Sequence, residues 1–168
     1  TADCASGDGS ASFDMDDGSG YTANIAIADV AGNTGSSSTD TFGVDTVNPS
    51  VSVTGPNSPS ASDAADMTVT SSDATSGLAS TTCTVDNEAA NCGDDLTSLS
   101  DGSHTMSATA TDNAGNTASA SYTWTVDTTG PTTTISNGPG GASSDGWTAD
   151  NDADTFTFSG DDGSGVGG

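Results

Sequence analysis

Through the middle of the chain, apolar residues take every second position. Val51 and Val53, Met67 and Val69, Cys83 and Val85, Met106, Ala108 and Ala110, and Tyr122, Trp124 and Val126 alternate with polar neighbours, mostly Thr or Ser. A period of two puts one set of side chains on an inner sheet face and the other in water, so each run predicts a half-buried strand. Turn-forming clusters separate the runs: Gly55-Pro56-Asn57, Ser76-Gly77, Asp101-Gly102-Ser103 and Asn113-Ala114-Gly115-Asn116. Gly, Pro, Asn and Asp at such spacing join short antiparallel strands. The pattern predicts an all-β fold, an antiparallel sandwich with no helix of useful length.

The same text recurs along the chain. Asp29-Val30-Ala31-Gly32-Asn33-Thr34 returns as Asp112-Asn113-Ala114-Gly115-Asn116-Thr117, an offset of 112 − 29 = 83. Val44-Asp45-Thr46 returns as Val126-Asp127-Thr128, and a proline stands three residues beyond each threonine, at Pro49 and Pro131. Met67 to Gly77 is similar to Phe156 to Gly165. One unit is therefore about 80 to 90 residues long. Residues 47–130 form one complete unit, residues 1–46 match its second half, and residues 131–168 match its first half. Two origins of that phase stand open: a segment cut from a longer tandem array, or a head-to-tail joint in which half units pair between subunits. The Ala-Gly-Asn turn takes residues that accept positive φ cheaply and reads as a hairpin between the last two strands. Val-Asp-Thr-x-x-Pro reads as a stiff joint, because Pro fixes φ and cannot donate to a ladder.

The complete unit resembles a known family. Cys83 to Asn91, Leu99-Ser100-Asp101-Gly102-Ser103-His104-Thr105, Ala108 to Asn116 and Tyr122 to Pro131 follow, in that order, the text of the bacterial Ig-like repeats found in giant surface adhesins and other extracellular proteins. The resemblance implies tandem Ig-like antiparallel β-sandwiches, about seven strands each, used outside the cell as spacer or adhesive modules. The chain departs from that family in lacking basic residues and in having Phe42 where the complete copy has Trp124.

Charge narrows the function. There are 24 acidic residues and no Lys or Arg, for a formal net charge of -24. Such a chain cannot neutralise phosphates and repels nucleic acid and anionic membranes. Low hydrophobicity with high charge is also the signature of disorder, and the alternating pattern is what argues against it. No apolar run reaches the roughly 18 residues that span a bilayer, and no charged-then-apolar leader opens the sequence, so a mature or excised segment without membrane insertion is expected. Repulsion among the carboxylates has to be relieved by bound cations or by screening salt.

Calcium is the cofactor that the oxygen-rich composition favours. One candidate group lies at the joints and turns: Asp45 and Asp127, with Asp112, Asn113 and Asp29. Another is Asp150, Asp152 and Asp154 with Asp161, spaced like a calcium loop but with Thr155 where that loop needs Gly; Asp14, Asp16 and Asp17 make a third cluster. A solvated acidic surface and a halophilic adaptation to molar salt explain the same residues without a specific site. Cys83 and Cys92, nine apart, suit a disulfide in an oxidising exterior, and Cys4 aligns with Cys92.

Chemistry has little support. His104 is the one imidazole, and the earlier copy has Tyr21 there, which favours packing over catalysis. The sequence therefore predicts a structural, non-enzymatic module of a surface adhesin stalk or filament, extracellular, with neighbouring identical repeats as its partners. The alternative is a calcium-dependent adhesive module gripping a glycan or a partner cell surface, for which Trp147 is the best loop aromatic.

Overall fold

A computed structural model of the chain describes residues 12–137 and 157–162; Cys4, Trp147, Asp150, Asp152 and Asp154 lie outside the described residues. The described residues hold twelve strands and no helix. They are β1 (Gly18–Tyr21), β2 (Asn24–Ala28), β3 (Thr34–Ser38), β4 (Phe42–Val44), β5 (Ser50–Thr54) and β6 (Thr68–Ser72). The remainder are β7 (Leu78–Val85), β8 (Glu88–Ala90), β9 (Gly102–Asp112), β10 (Thr117–Val126), β11 (Thr132–Asn137) and β12 (Thr157–Asp161). The order β10-β9-β7-β8 makes a four-stranded sheet, and β1-β4, β2-β3, β5-β6 and β11-β12 are two-stranded. Every strand pair with a resolved register is antiparallel.

The chain divides into two compact units. Among the described residues one comprises 12–55, 66–94 and 105–123, the other 56–65, 95–104, 124–137 and 157–162. Strands β9 and β10 each contribute residues to both.

In the first unit the core follows the alternation read from sequence. Met106, Ala108 and Ala110 of β9 are fully buried, while Thr105, Ser107, Thr109 and Thr111 between them are half-buried. Val53, Met67 and Cys83 complete this core. Cys83 lies opposite Ala108 in the β7–β9 ladder and is bonded to Cys92, with Cα atoms 5.3 Å apart. Closing a nine-residue span contributes roughly 3 kcal/mol by limiting the unfolded chain, a useful supplement to a core made of such small side chains. Packing is tight at the end of β5, where a Cβ on Gly55 would stand 2.8 Å from Met67 Sδ and 3.0 Å from Tyr122 Cδ1. A Gly55→Ala change forces both to move.

Outer faces carry hydroxyls in place of charges. Ser50 pairs with Ser72, Ser52 with Thr70, Thr105 with Thr123, and Thr109 with Ser119, all at 2.7–2.9 Å between hydroxyl oxygens. Among the described residues only Glu88, Asp112 and Asp161 place a carboxylate within a strand. The remaining described acids occupy turns and connections, where polar side chains cap free backbone N–H groups.

The second unit has its own small core. Trp124 and Val126 at the end of β10 are 1% exposed, and Ala65 and His104 are buried with them. The His104 ring lies 5.7 Å from the Trp124 ring, and its Nε2 is 2.8 Å from the Ser100 carbonyl oxygen. Segments without regular strand structure are tied in by bridges from Ser60 to Val126 and from Ala65 to Leu96. The β11–β12 hairpin pairs Ile135 with Phe158.

Candidate functional site

Three aspartates from separate parts of the first unit converge. One carboxylate oxygen from each of Asp45, Asp73 and Asp112 lies within 4.8 Å of the other two. Each is placed by a local rule. Asp73 follows β6, and its Oδ1 accepts the N–H groups of Thr75 (3.1 Å), Ser76 (2.9 Å) and Gly77 (2.9 Å), folding Asp73 to Gly77 into a tight cap. Gly77 closes the cap with φ of +78°, a conformation costly for other residues. Asp112 ends β9; its Oδ1 accepts from Ala114 N–H (2.9 Å) and Asn116 N–H (2.8 Å), and its Oδ2 from Asn116 Nδ2 (2.8 Å). Asp45, beyond β4, caps Val47 N–H with Oδ1 and accepts from Ser76 N–H and Oγ with Oδ2.

Further bonds lock the three loops together. Asn116 Nδ2 also donates to the Asp45 carbonyl at 3.0 Å. Asn113 donates its backbone N–H to Gly77 O at 2.9 Å and its Nδ2 to Ser76 O at 2.8 Å. An open cleft of about 230 Å³ adjoins them, lined in part by Gly18, Gly43, Asp45 and Asn113.

The electrostatics are unusual because no side-chain cation is available apart from His104. The donors that face the three carboxylates are backbone N–H groups, the Asn116 amide and the Ser76 hydroxyl. Asp112 is 1% exposed, and burial alone would raise its pKa. Its bonds from Asn116, Gly115 and Ala114 outweigh that and hold it below the ordinary value of 3.8. Three convergent anionic oxygens form a hard donor set. Two ligands on one calcium stand at most about twice the metal–oxygen distance apart, roughly 4.6–5.2 Å, and the spacing here meets that limit. Asp45, Asp73 and Asp112 would be the first ligands, with turn carbonyls or water completing the shell.

The residues named from sequence are thus distributed unevenly. Asp45 and Asp112 come together, with Asn113 tying the neighbouring loop in place. Asp29 repeats the Asp112 turn in an exposed setting, where Asn33 and Ala31 supply the same bonds and hold its pKa low. Asp127 caps Thr129 N–H in the second unit, and neither Asp29 nor Asp127 joins a group of three ligand residues among the described residues. Asp73 was not singled out in the sequence, although it lies within the Met67 to Gly77 stretch that the repeat duplicates.

A different pair of acids holds the joints. Asp17 Oδ1 accepts from Thr46 N–H (2.8 Å) and Oγ1 (2.9 Å). Asp101 does the same to Thr128, at 2.8 Å for both, and its Oδ2 accepts from Thr129 Oγ1 at 2.8 Å. These bonds hold the Asp101 carboxyl below its ordinary pKa, the Thr128 N–H contributing most. Both clamps read the same sequence logic: an Asp-Gly turn at the head of one strand fixes the Val-Asp-Thr at the tail of its partner. The single imidazole is buried against Trp124 with one nitrogen at a carbonyl, so it acts in packing.

Among known families, the one described as Bacterial Ig-like domain matches residues 56–128. A search of the curated proteins finds no match. Among the described residues no helix is long and apolar enough to cross a membrane.

Proposed function

We propose that this chain, whose residues 56–128 are a bacterial Ig-like domain, is a piece of an extracellular stalk or filament, built of such modules end to end and serving for length and stiffness. The observation that carries the reading is the repeated joint clamp: Asp17 on Thr46 and Asp101 on Thr128 fix the residues that leave each hairpin. A connection pinned through both backbone and side chain loses the swing that a free linker keeps. Modules of this kind are commonly surface-exposed, and the Cys83–Cys92 bond suits an oxidising exterior. Small-angle X-ray scattering on chains of two and three linked repeats tests it. The maximum dimension should grow by roughly 40 Å per repeat, the length of a strand of about twelve residues. Growth of less than half that overturns the stalk reading.

A cation at Asp45, Asp73 and Asp112 is the second element of the proposal, favoured by their convergence. It would tie the residue after one hairpin to two turns of the following module. Calcium at low salt should then raise the melting temperature more than molar sodium chloride with chelator does, and Asp73→Asn should remove the calcium increment. Equal stabilisation by salt alone supports the halophilic account instead.

A further inference from the structure

We infer that the exposed apolar face of the first hairpin, β2–β3 with β1–β4, is a docking surface for the first half of another Ig-like repeat, a second copy of residues 47–88. The inference rests on the modular reading above and names the partner of one surface.

The argument is positional. At the offset of 83 set by the Asp29 and Asp112 turns, Ile25 falls at Ala108 and Ile27 at Ala110; at the offset of 82 set by the joints, Phe42 falls at Trp124. Ala108 and Ala110 are 0% exposed and Trp124 1%, whereas Ile25 is 50% exposed, Ile27 59% and Phe42 37%. The turn is bonded alike on both sides, and β2 and β3 pair from Asn24↔Ser38 to Ala28↔Thr34 around it. The aromatic contact is kept too, Tyr21 lying 6.0 Å from Phe42 where His104 lies 5.7 Å from Trp124. Apolar residues spaced by two and open to water mark a face built to be covered.

The complete module supplies the identity of the cover. There β9 pairs on one edge with β10 and on the other with β7, placing Cys83 opposite Ala108 and Thr82 opposite Thr109. Strand β2 pairs with β3 alone among the described elements. A β7-type strand added to its second edge sets a Cys83 equivalent opposite Ile25, giving main-chain bonds for affinity and side-chain fit for register. The β5–β6 portion of the same occupant brings the equivalents of Val53 and Met67, which are buried in the existing core. Two features outside the apolar face agree. Residues 47–88 placed directly before Thr1 put a Cys83 equivalent nine positions ahead of Cys4, since 88 − 83 + 4 = 9, the spacing of the Cys83–Cys92 bond. They also bring an Asp73 equivalent to the turn of Asp29.

The test compares the 168-residue chain with the same chain extended before Thr1 by a second copy of residues 47–88, each refolded with oxidised glutathione. In the extended chain the Cys4 thiol and the added Cys83 thiol lose two electrons and two protons to one glutathione disulfide, which leaves as two glutathione thiols. The expected results are one cysteine of the original chain left as a glutathione mixed disulfide, with one glutathione thiol released, and no glutathione carried by the extended chain, with the amides of Ile25 to Ala28 protected about 100-fold more strongly against hydrogen exchange in the latter. Ile27→Asp should abolish that added protection and leave the melting of the original chain unchanged. Equal exchange in both chains, with Trp124 still buried, overturns the docking and spares the module; an exposed Trp124 in both overturns the module reading as well. Self-association of the original chain that is lost with Ile27→Asp also counts against the inference, since the face would then be covered by its own likeness.

Discussion

The turn at Asp29 and the turn at Asp112 differ in text only at Val30 and Asn113, and share their internal hydrogen bonds in opposite surroundings. Each aspartate takes the N–H groups two and four residues on and the side chain of the asparagine that closes the turn. Gly32 and Gly115 provide the positive φ in each, at +89° and +97°. Yet Asp29 is exposed and Asp112 is 1% exposed beside Asp45 and Asp73. The loop is therefore a self-sufficient local device, and its burial and charge environment come from what is packed around it. The hairpins behind the turns differ in the same sense: inward apolar residues are buried in one and exposed in the other.

Three substitution experiments press on this contrast. The largest effect belongs to the aromatic pair. Trp124→Ala should cost about 3–5 kcal/mol in urea unfolding because it empties a closed site, while Phe42→Ala, more than a third exposed, should cost about 1 kcal/mol; equal costs would mean the first hairpin is as well packed as the second. Next come the turns. Asp112→Ala removes the acceptor that the Ala114 and Asn116 N–H groups and the Asn116 side chain share in a part-buried turn, and should lower the melting temperature by on the order of 10 °C. The Asp29→Ala change leaves its N–H groups to water and should move it far less. Smallest is the pH dependence. Both carboxyls have folded pKa values below 3.8, so their stabilisation is present above about pH 4 and fades as pH falls through the lowered folded values. The melting-temperature gap between the parent and Asp112→Asn, measured from pH 6 to pH 2, should therefore close on acidification; a gap that widens shows that repulsion from Asp45 and Asp73 dominates instead.

What the sequence made legible was whatever is local. Alternation located the strands whose inner residues are buried, the Ala-Gly-Asn turn located two hairpins, and a nine-residue spacing located the disulfide. Asp45 and Asp112 were visible because each sits beside a repeated marker. Asp73 was not, because Ser-Asp-Ala-Thr-Ser-Gly looks like any polar turn and only strand register carries it to the other two; the signal available was its counterpart Asp162, at an offset of 89. The clamps at Asp17 and Asp101 were hidden for the same reason, their threonine partners lying 29 and 27 residues away.

One feature of the sheets reaches further than the module itself. Since hydroxyls tile the described sheets and nearly all the described carboxylates stay in the bends, the flanks of the proposed stalk would have almost no counterions to gain or shed. Brine and fresh water would then act on its corners and leave its sides equally wetted, so that two such stalks lying alongside would meet through neutral, hydrogen-bonding ground despite the net charge of -24 on each 168-residue chain.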